Sequence, residues 1–166
     1  EVLVPTFLSD TPEVRAEIAQ YYQSISRIDQ GLGRLIEILK QAGNWDDTLL
    51  IYIADHGIAI GRHAFQGKQN LYEHTWRVPF LMKGPGVKVG SRAQGNIYLL
   101  DLLATFCDLA GIQAPRSNEG LSFRPVMERR KPIVRDVLYG SGGSVRRLLG
   151  CCLVLWQQGS FGGCTC

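Results

Sequence analysis

The stretch Thr48-Leu-Leu-Ile-Tyr-Ile-Ala54, followed at once by Asp55-His56-Gly57, decides the fold of this chain. Its apolar run, rich in β-branched and aromatic residues, predicts a buried strand that ends at the acidic residue. Open α/β sheets place their chemistry at the carboxyl ends of their strands. Asp55 and His56 there offer an oxygen and a nitrogen ligand to a divalent cation. Lys68, thirteen residues after Asp55, offers a fixed positive charge to an oxyanion.

The same three residues also have ordinary structural interpretations. Asp55 is able to cap the end of the strand or to accept a hydrogen bond from a loop amide. His56 is also typical of a buried histidine whose ring nitrogens are satisfied by neighbours. Lys68 is typical of a solvated surface charge. Taken alone, the residues leave both a ligand site and a purely structural role open.

Four other polar residues between residues 60 and 80 carry structural predictions. We expect His63 to orient its loop, and the alternative is that it holds a metal ligand in place without binding the metal itself. Glu73 and Arg77 are expected to form a buried ion pair that fixes the loop against the sheet. His74 is expected to be exposed.

Hydrophobic periodicity predicts two helices and three strands. The predicted elements are a helix from 11 to about 43 with one buried stripe, strands over 48–54 and 78–82, a helix over 97–109 closed by Gly111, and a strand over 133–139. Apolar residues at steps of three and four define the helices. Strands that alternate with helices predict an α/β domain with a mostly parallel sheet.

Several positions within the predicted helices carry more detailed predictions. Asp10-Thr11-Pro12-Glu13 predicts a helix start with a capping side chain, proline in the first turn and an early acid. Gly31 and Gly33 interrupt the first helix and predict a kink or a close backbone contact. Asp29 and Asp101 are predicted to anchor loops rather than to take part in catalysis.

Composition describes an ordinary globular protein and narrows the classes of partner. The chain has 166 residues, 45% of them hydrophobic and 20% charged, with a net charge of +3. That charge is too small to indicate nucleic-acid binding, and the basic run Arg129-Arg130-Lys131 is typical of a solvated loop. The longest apolar stretch near the end of the chain, 148–156, is far shorter than the ~20 residues of a membrane span.

The sequence changes character at about residue 140. Residues 1–139 carry the α/β pattern, whereas 140–166 begin with Gly140-Ser-Gly-Gly-Ser144 and hold four of the five cysteines. The cysteine spacing matches no common zinc module, and a disulfide knot requires an oxidising compartment. We therefore expect 140–166 to be an unstructured or out-of-frame terminus. Cys107 is expected to be a small buried hydrophobic residue of the second helix.

A series of short segments along residues 4–139 resembles one protein family. The segments are Val4-Pro5-Thr-Phe-Leu-Ser-Asp10-Thr11-Pro12, Arg27-Ile-Asp29-Gln-Gly31, Ala54-Asp55-His56-Gly57, Gly67-Lys68, Leu71-Tyr72-Glu73, Arg77-Val-Pro79-Phe, Lys83-Gly-Pro85-Gly86, Asp101-Leu-Leu-Ala-Thr105 and Gly120-Leu-Ser122. In order and spacing they resemble the sulfatases of the alkaline-phosphatase superfamily, nearest to arylsulfatases and heparan N-sulfatases (sulfamidases). The resemblance implies a three-layer α/β sandwich, present here only as the later portion of the catalytic domain.

The resemblance also implies roles for the three candidate site residues. Family members hold a divalent cation, usually Ca²⁺, between two acids of an early strand and an Asp-Asn or Asp-His pair of a later one. Asp55 and His56 match the later pair, and Lys68 matches a residue that contacts the sulfate group. Oxygen ligands suit Ca²⁺ or Mg²⁺, whereas the imidazole of His56 loosens that preference toward Mn²⁺ or Zn²⁺.

The family nucleophile is expected to lie outside this chain. Sulfatases use a formylglycine made from the Cys or Ser of a Cys/Ser-x-Pro/Ala-x-Arg motif, and this sequence contains no such motif. Since the chain also begins with Glu1 rather than Met, we expect a piece of a longer catalytic domain. We expect no sulfatase turnover from the chain alone.

Three functions follow as hypotheses. The first is a piece of a metal-dependent sulfatase whose intact form hydrolyses the sulfate ester or sulfamate of a small molecule or sugar. The second is a phosphodiesterase or phosphonate monoester hydrolase of the same superfamily, which shares the Asp-His pair. The third is a catalytically dead truncated product that binds a cation or a partner. The compartment is undetermined, and family habit suggests periplasmic, secreted or lysosomal export.

Overall fold

The computed structural model describes residues 2–68, 70–141, 153–157 and 160–161. The chain divides into two units, Glu1–Pro85 and Gly86–Cys166. The first unit contains α1 (Pro12–Gln41), β1 (Leu50–Ile53), β2 (Ala59–Ile60), a 3₁₀ turn (Arg62–Ala64), β3 (Gln66–Gly67), α2 (Glu73–Trp76) and β4 (Phe80–Lys83). The second contains α3 (Asp101–Ala110), α4 (Arg124–Met127), β5 (Val137–Ser141), β6 (Leu153–Gln157) and β7 (Ser160–Phe161). The predicted mixture of helices and strands is confirmed.

Helix α1 begins and ends as its sequence predicts. Thr11 is the N-cap, and its Oγ1 accepts a hydrogen bond from the backbone N of Val14 at 3.3 Å. Pro12 occupies the first turn, where no intrahelical donor is required. Ala42 caps the C-terminus, and Gly43 turns the chain with a φ of 72°.

The apolar stripe of α1 is less buried than predicted. Ile18 is 6% exposed, but Tyr22 is 59%, Ile28 is 53% and Leu35 is 44% exposed. The described residues therefore cover only part of the stripe. A kink or a close backbone contact was predicted at Gly31 and Gly33. Among the described residues no atom lies within 4 Å of a Cβ built at either position, and α1 continues past both as one helix.

Strand β1 pairs with β4, and the pair is antiparallel. Ile51 stands opposite Met82, and Ile53 stands opposite Phe80. Every strand pair within the described residues is antiparallel, which differs from the predicted mostly parallel arrangement. The connection from β1 to β4, residues 54–79, holds the β2–β3 pair and the four-residue α2. Parallel neighbours are usually joined by a longer crossover helix, which the described residues of this connection do not contain.

In the second unit, α3 carries the core. Ala104, Thr105 and Cys107 are buried, so the prediction for Cys107 is confirmed. Gly111 closes α3 in the left-handed conformation (φ 68°), as predicted. No helix in the described part of the chain is long and apolar enough to cross a membrane.

The last predicted strand begins later than expected and continues further. It was predicted over 133–139, whereas β5 covers Val137–Ser141 and pairs antiparallel with the backbone of β6. The predicted irregular terminus, 140–166, falls largely outside the described residues. The cysteines at 151, 152, 164 and 166 also lie outside them.

Candidate functional site

Strand β1 delivers Asp55 and His56 just beyond its last residue, Ile53. Asp55 is 78% exposed, and its Oδ1 accepts a hydrogen bond from the backbone N of His56 at 2.9 Å. That bond turns the carboxylate toward the neighbouring imidazole, whose Nε2 lies 3.4 Å from Asp55 Oδ2. The structure thus brings the two sequence-predicted ligands together at the end of the strand.

The ring of His56 is held in one orientation. Its Nδ1 lies 2.9 Å from the carbonyl oxygen of Gly57, and since a carbonyl only accepts, Nδ1 must donate. In a neutral imidazole Nε2 then carries a lone pair, which faces a carboxylate oxygen. Two such atoms attract only when a proton or a cation lies between them. A metal-binding histidine typically donates its other ring N–H to a backbone carbonyl in this way.

Gly57 is required by the close approach of α2. A Cβ on residue 57 would stand 1.8 Å from the carbonyl oxygen of His74 and 2.9 Å from its carbonyl carbon. The backbone N of Gly57 also donates to the carbonyl oxygen of Thr75 at 2.8 Å. Helix α2 is therefore fastened directly to the residue that follows the Asp55–His56 pair.

A two-stranded hairpin returns Lys68 toward the Asp55–His56 segment. Ala59 of β2 pairs with Gly67 of β3, so Lys68 leaves the hairpin at the end where 55–58 enters it. Lys68 is exposed. At the tip of the hairpin, the Leu8 side chain packs against the buried Gly61 and occupies the space that a Cβ there would need.

Asn70 organises the start of α2. Its Oδ1 accepts hydrogen bonds from the backbone N of Tyr72 at 3.1 Å and from Oγ1 of the buried Thr75 at 2.8 Å. Its carbonyl oxygen accepts from the indole N–H of Trp76 at 3.2 Å. Sequence reasoning did not single out Asn70, although asparagine, whose side chain bonds the backbone two residues further on, is a known turn residue.

Three aromatic rings meet beside the hairpin. The ring of His63 lies 4.3 Å from that of Tyr72 at an interplanar angle of 15°, and Tyr72 lies 5.7 Å from His74 at 11°. This contact supports the predicted loop-orienting role of His63. Tyr72 was missed as an organising residue, because a lone tyrosine in a loop carries no periodic signal.

The prediction that His74 is exposed is wrong. His74 is half-buried, and its Nε2 is buried with no hydrogen-bond partner among the described residues. Burial lowers the pKa of His74, and the charges of His63 and Arg62 lower it further. The imidazole is therefore kept neutral by its surroundings.

The ion pair between Glu73 and Arg77 forms but is not buried as predicted. Glu73 Oε1 lies 3.8 Å from Arg77 Nη1, and the side chains are 46% and 74% exposed. The two residues are one helical turn apart on the outer face of α2, so solvent screens them. A pair of this kind contributes about 0–1 kcal/mol.

Asp101 anchors a loop as predicted, in the second unit. Its carboxylate is fully buried and accepts from the backbone N of Tyr98, the backbone N of Leu121 and Nη2 of Arg135, at 2.7–2.8 Å. Asp29 is exposed on α1, and its anchoring role stays a prediction.

The described residues supply two candidate metal ligands. Among these residues no group of three or more His, Cys, Asp or Glu side chains is placed to hold one ion. Ca²⁺ takes about six to eight oxygen ligands and Mg²⁺ about six. Asp55 and His56 alone therefore do not complete such a set of ligands.

Comparison with known proteins identifies what this arrangement is similar to. The family model described as Sulfatase matches residues 4–112. Human N-sulphoglucosamine sulphohydrolase is 36% identical over 117 residues, which is 69% of this chain and 22% of the relative. The chain spans about a tenth to a quarter of the length of the curated relatives that it matches first.

Two solved structures share the fold. One is a protein in complex with its substrate D-glucosamine-2-N,6-O-disulfate, with a TM-score of 0.78, 25% identity, and coverage of 87% of this chain and 31% of that one. The other is a phosphonate monoester hydrolase from Silicibacter pomeroyi, with a TM-score of 0.77, 28% identity, and coverage of 90% and 33%. The predicted alkaline-phosphatase-like α/β fold, present in part, is confirmed.

Proposed function

This chain belongs to the sulfatase family, and from that premise we propose that it forms part of the active site of an enzyme that hydrolyses sulfate esters or sulfamates. Asp55 and His56 would be two ligands of a divalent cation, and Lys68 would contact the sulfate group. The substrate of the whole enzyme would be a sulfated small molecule or sugar. The human relative is named for a sulfated glucosamine, and one solved neighbour holds a disulfated glucosamine.

The observation that carries the proposal is the geometry of His56. Its Nδ1 donates to the Gly57 carbonyl, which directs Nε2 at Asp55 Oδ2 across 3.4 Å. A carboxylate and an imidazole lone pair at that separation repel each other unless a positive charge joins them. Ca²⁺ is the first choice of cation, and the nitrogen ligand also admits Mg²⁺, Mn²⁺ or Zn²⁺.

The roles of the residues follow from the charge of the substrate. A sulfate ester is anionic, and its leaving oxygen gains negative charge as the bond to sulfur breaks. A divalent cation bound by Asp55 and His56 would offset charge on the sulfate oxygens. The Lys68 ammonium would donate to one of those oxygens and so orient the group. The nucleophile, a formylglycine by family resemblance, would come from outside this chain.

The chain by itself is proposed to be inactive. It contains no Cys/Ser-x-Pro/Ala-x-Arg motif, and its described residues provide only two metal ligands. The check is an aryl sulfate assay with purified chain. Turnover that disappears in Lys68→Ala would contradict this expectation.

Metal binding by the chain tests the proposed ligands directly. We expect Ca²⁺ titration followed by NMR to shift the Asp55 and His56 signals, and EDTA to reverse the shifts. Asp55→Asn and His56→Gln should each weaken Ca²⁺ binding by about tenfold or more. Asp29→Asn, which removes an exposed carboxylate from α1, is the matched control and should bind as the unaltered chain does. Equal affinity in all three variants would refute the ligand assignment.

Phosphonate or phosphate ester hydrolysis is the second candidate function. It is favoured by the structural likeness to the Silicibacter pomeroyi phosphonate monoester hydrolase. Sulfate and phosphonate groups are close in shape, so Asp55, His56 and Lys68 would serve either. In the presence of Ca²⁺, the shift of the Lys68 signal should be titrated with inorganic sulfate and with methylphosphonate. Tighter binding of methylphosphonate would favour the second candidate.

A further inference from the structure

The rings of His63, Tyr72 and His74, called here the ring cluster, form a triangle rather than a column. Tyr72 lies 4.3 Å from His63 and 5.7 Å from His74, and the two histidine rings are themselves only 5.8 Å apart. Every ring therefore contacts both of the others. Such a triangle joins the 3₁₀ turn that carries His63 to the helix that carries His74.

The turn on one side of the ring cluster is conformationally strained. His63 and Ala64 both adopt left-handed backbone conformations, with φ of 54° and 59°. Two consecutive residues with a Cβ rarely do so, and the conformation persists only where the surroundings fix it. The stacking of His63 on Tyr72 supplies such a constraint. Strain of this kind is concentrated at functional sites.

The other side of the ring cluster is rigidly fastened to the Asp55–His56 segment. Tyr72 is held by Asn70 through its backbone N, and Thr75 is held by the same asparagine. Thr75 in turn accepts from the backbone N of Gly57 at 2.8 Å. A continuous set of contacts therefore runs from His63 to the residue next to His56.

Residues 65–68, called here the Lys68 segment, leave the strained turn and end at the candidate sulfate contact. Lys68 is exposed, and the region that its flexible side chain can reach is limited by the position of its backbone. That backbone is fixed by the hairpin on one side, through Ala59 and Gly67, and by the turn at 62–64 on the other.

We propose that the ring cluster is a positioning device, which sets the Lys68 ammonium relative to the Asp55–His56 pair. His63, Tyr72 and His74 act through Lys68 and do not touch the substrate themselves. The rigid turn reduces the number of positions that the ammonium samples before an anion arrives, and this pre-organisation strengthens binding. The inference rests on the proposed function, in which Lys68 contacts sulfate.

Substitutions at Tyr72 in the full 166-residue chain test the proposal. Tyr72→Leu removes the ring that touches both histidines, whereas Tyr72→Phe keeps it. Amide hydrogen exchange of the Lys68 segment should accelerate by about tenfold in Tyr72→Leu and stay unchanged in Tyr72→Phe. In the presence of Ca²⁺, the affinity for inorganic sulfate should fall by about fivefold in Tyr72→Leu only. Circular dichroism should show the same fold in each variant.

Two further variants separate positioning from general packing. Tyr21→Leu removes a comparably exposed tyrosine that also contacts another ring, but on α1, and should leave both measurements unchanged. His63→Gly relieves the left-handed strain while removing one ring, so it should still accelerate exchange of the Lys68 segment. Unchanged exchange in both Tyr72→Leu and His63→Gly would overturn the proposal, as would unchanged sulfate affinity in Tyr72→Leu.

The measurements also separate this proposal from the proposed function. If the unaltered chain binds sulfate no better than Lys68→Met, the role of Lys68 in the proposed function fails. Hydrogen exchange then still decides whether the ring cluster holds the Lys68 segment. If sulfate binding depends on Lys68 but not on Tyr72, the proposed function stands and the positioning device does not.

Discussion

The carbonyl oxygen of His74 lies 1.8 Å from the position that a Cβ on residue 57 would occupy, so the backbone of α2 closes directly over Gly57. This contact explains why glycine follows the Asp55–His56 pair. It places the two candidate metal ligands on a segment whose backbone cannot shift without displacing α2. The local geometry of the site is thus tied to a helix that begins sixteen residues after Gly57.

Replacing Gly57 with alanine is expected to destabilise the first unit strongly. The added Cβ meets backbone atoms, which cannot rotate away as the end of a side chain could. Overpacking of this kind costs about 1–3 kcal/mol of stability. Because the clash here is with backbone, we expect a loss at or above the upper end of that range. The free energy of unfolding in urea, with Gly57→Ala compared with the unaltered chain, measures the effect.

Gly31→Ala is the matched control for that measurement. Gly31 lies within α1, and a Cβ there meets no described atom within 4 Å. Alanine should stabilise the helix by up to about 1 kcal/mol. Equal stabilities of the Gly57→Ala and Gly31→Ala chains would contradict the close approach of His74.

Removing Arg135 is expected to destabilise the second unit. Asp101 is fully buried, Arg135 is 14% exposed in its side chain, and Nη2 of Arg135 lies 2.8 Å from Asp101 Oδ1. Arg135→Met leaves the carboxylate buried without its cationic partner, which costs about 3–5 kcal/mol. Arg77→Met breaks the exposed pair with Glu73 instead and should cost under about 1 kcal/mol. Thermal unfolding of the two variants gives the comparison, and similar losses would refute it.

Thr105→Val is expected to detach the loop that follows Gly120 from α3. The buried Thr105 hydroxyl donates to the carbonyl oxygen of Asp101 at 2.7 Å and accepts from the backbone N of Phe123 at 3.0 Å. Valine has nearly the same shape but makes neither bond, so the loss is about 1–3 kcal/mol.

The Phe123 amide provides the local readout for that variant. Its hydrogen exchange should accelerate when its acceptor is removed, while the amides in the middle of α3 keep their protection. Ser24→Ala removes an exposed hydroxyl that bonds one turn back on α1, and should change stability by about 0.5 kcal/mol or less. Full protection of Phe123 in Thr105→Val would be inconsistent with the bonding described.

The stability of the first unit is expected to fall as the pH drops below about 6.5, the ordinary pKa of histidine. Burial first, and the charges of His63 and Arg62 second, lower the pKa of His74 in the folded chain. The unfolded state therefore binds the proton more readily, so stability rises with pH through this range. The contribution is complete above the unfolded pKa and declines as the pH falls toward the folded one.

His74→Phe isolates this effect, because phenylalanine keeps an aromatic ring but cannot be protonated. The free energy of unfolding, measured at pH 8 and at pH 5, should fall by more in the unaltered chain than in His74→Phe. The two chains differ only at position 74, so the difference between them reports the contribution of that residue. An identical pH dependence would show that His74 does not control it.

Local signals in the sequence predicted those features that depend on neighbouring residues. Thr11 and Pro12 begin α1, Gly111 ends α3, and the apolar run before Asp55 forms β1, because capping, backbone freedom and side-chain alternation act within a few residues. The family and its α/β fold were predicted from the order and spacing of short motifs, each of which is only a few residues long. Asp55 and His56 were placed together because they are adjacent in the chain.

The sequence by itself thus determined the element types, the family and the adjacent pair of candidate ligands. Only the tertiary structure decided that the His74 carbonyl lies directly against Gly57. It determined that the three rings of the ring cluster contact one another and that Glu73 and Arg77 face solvent. It also decided that β1 and β4 run antiparallel and that much of the apolar stripe on α1 is exposed. These properties depend on which distant segments approach each other, and periodicity along one segment does not contain that information.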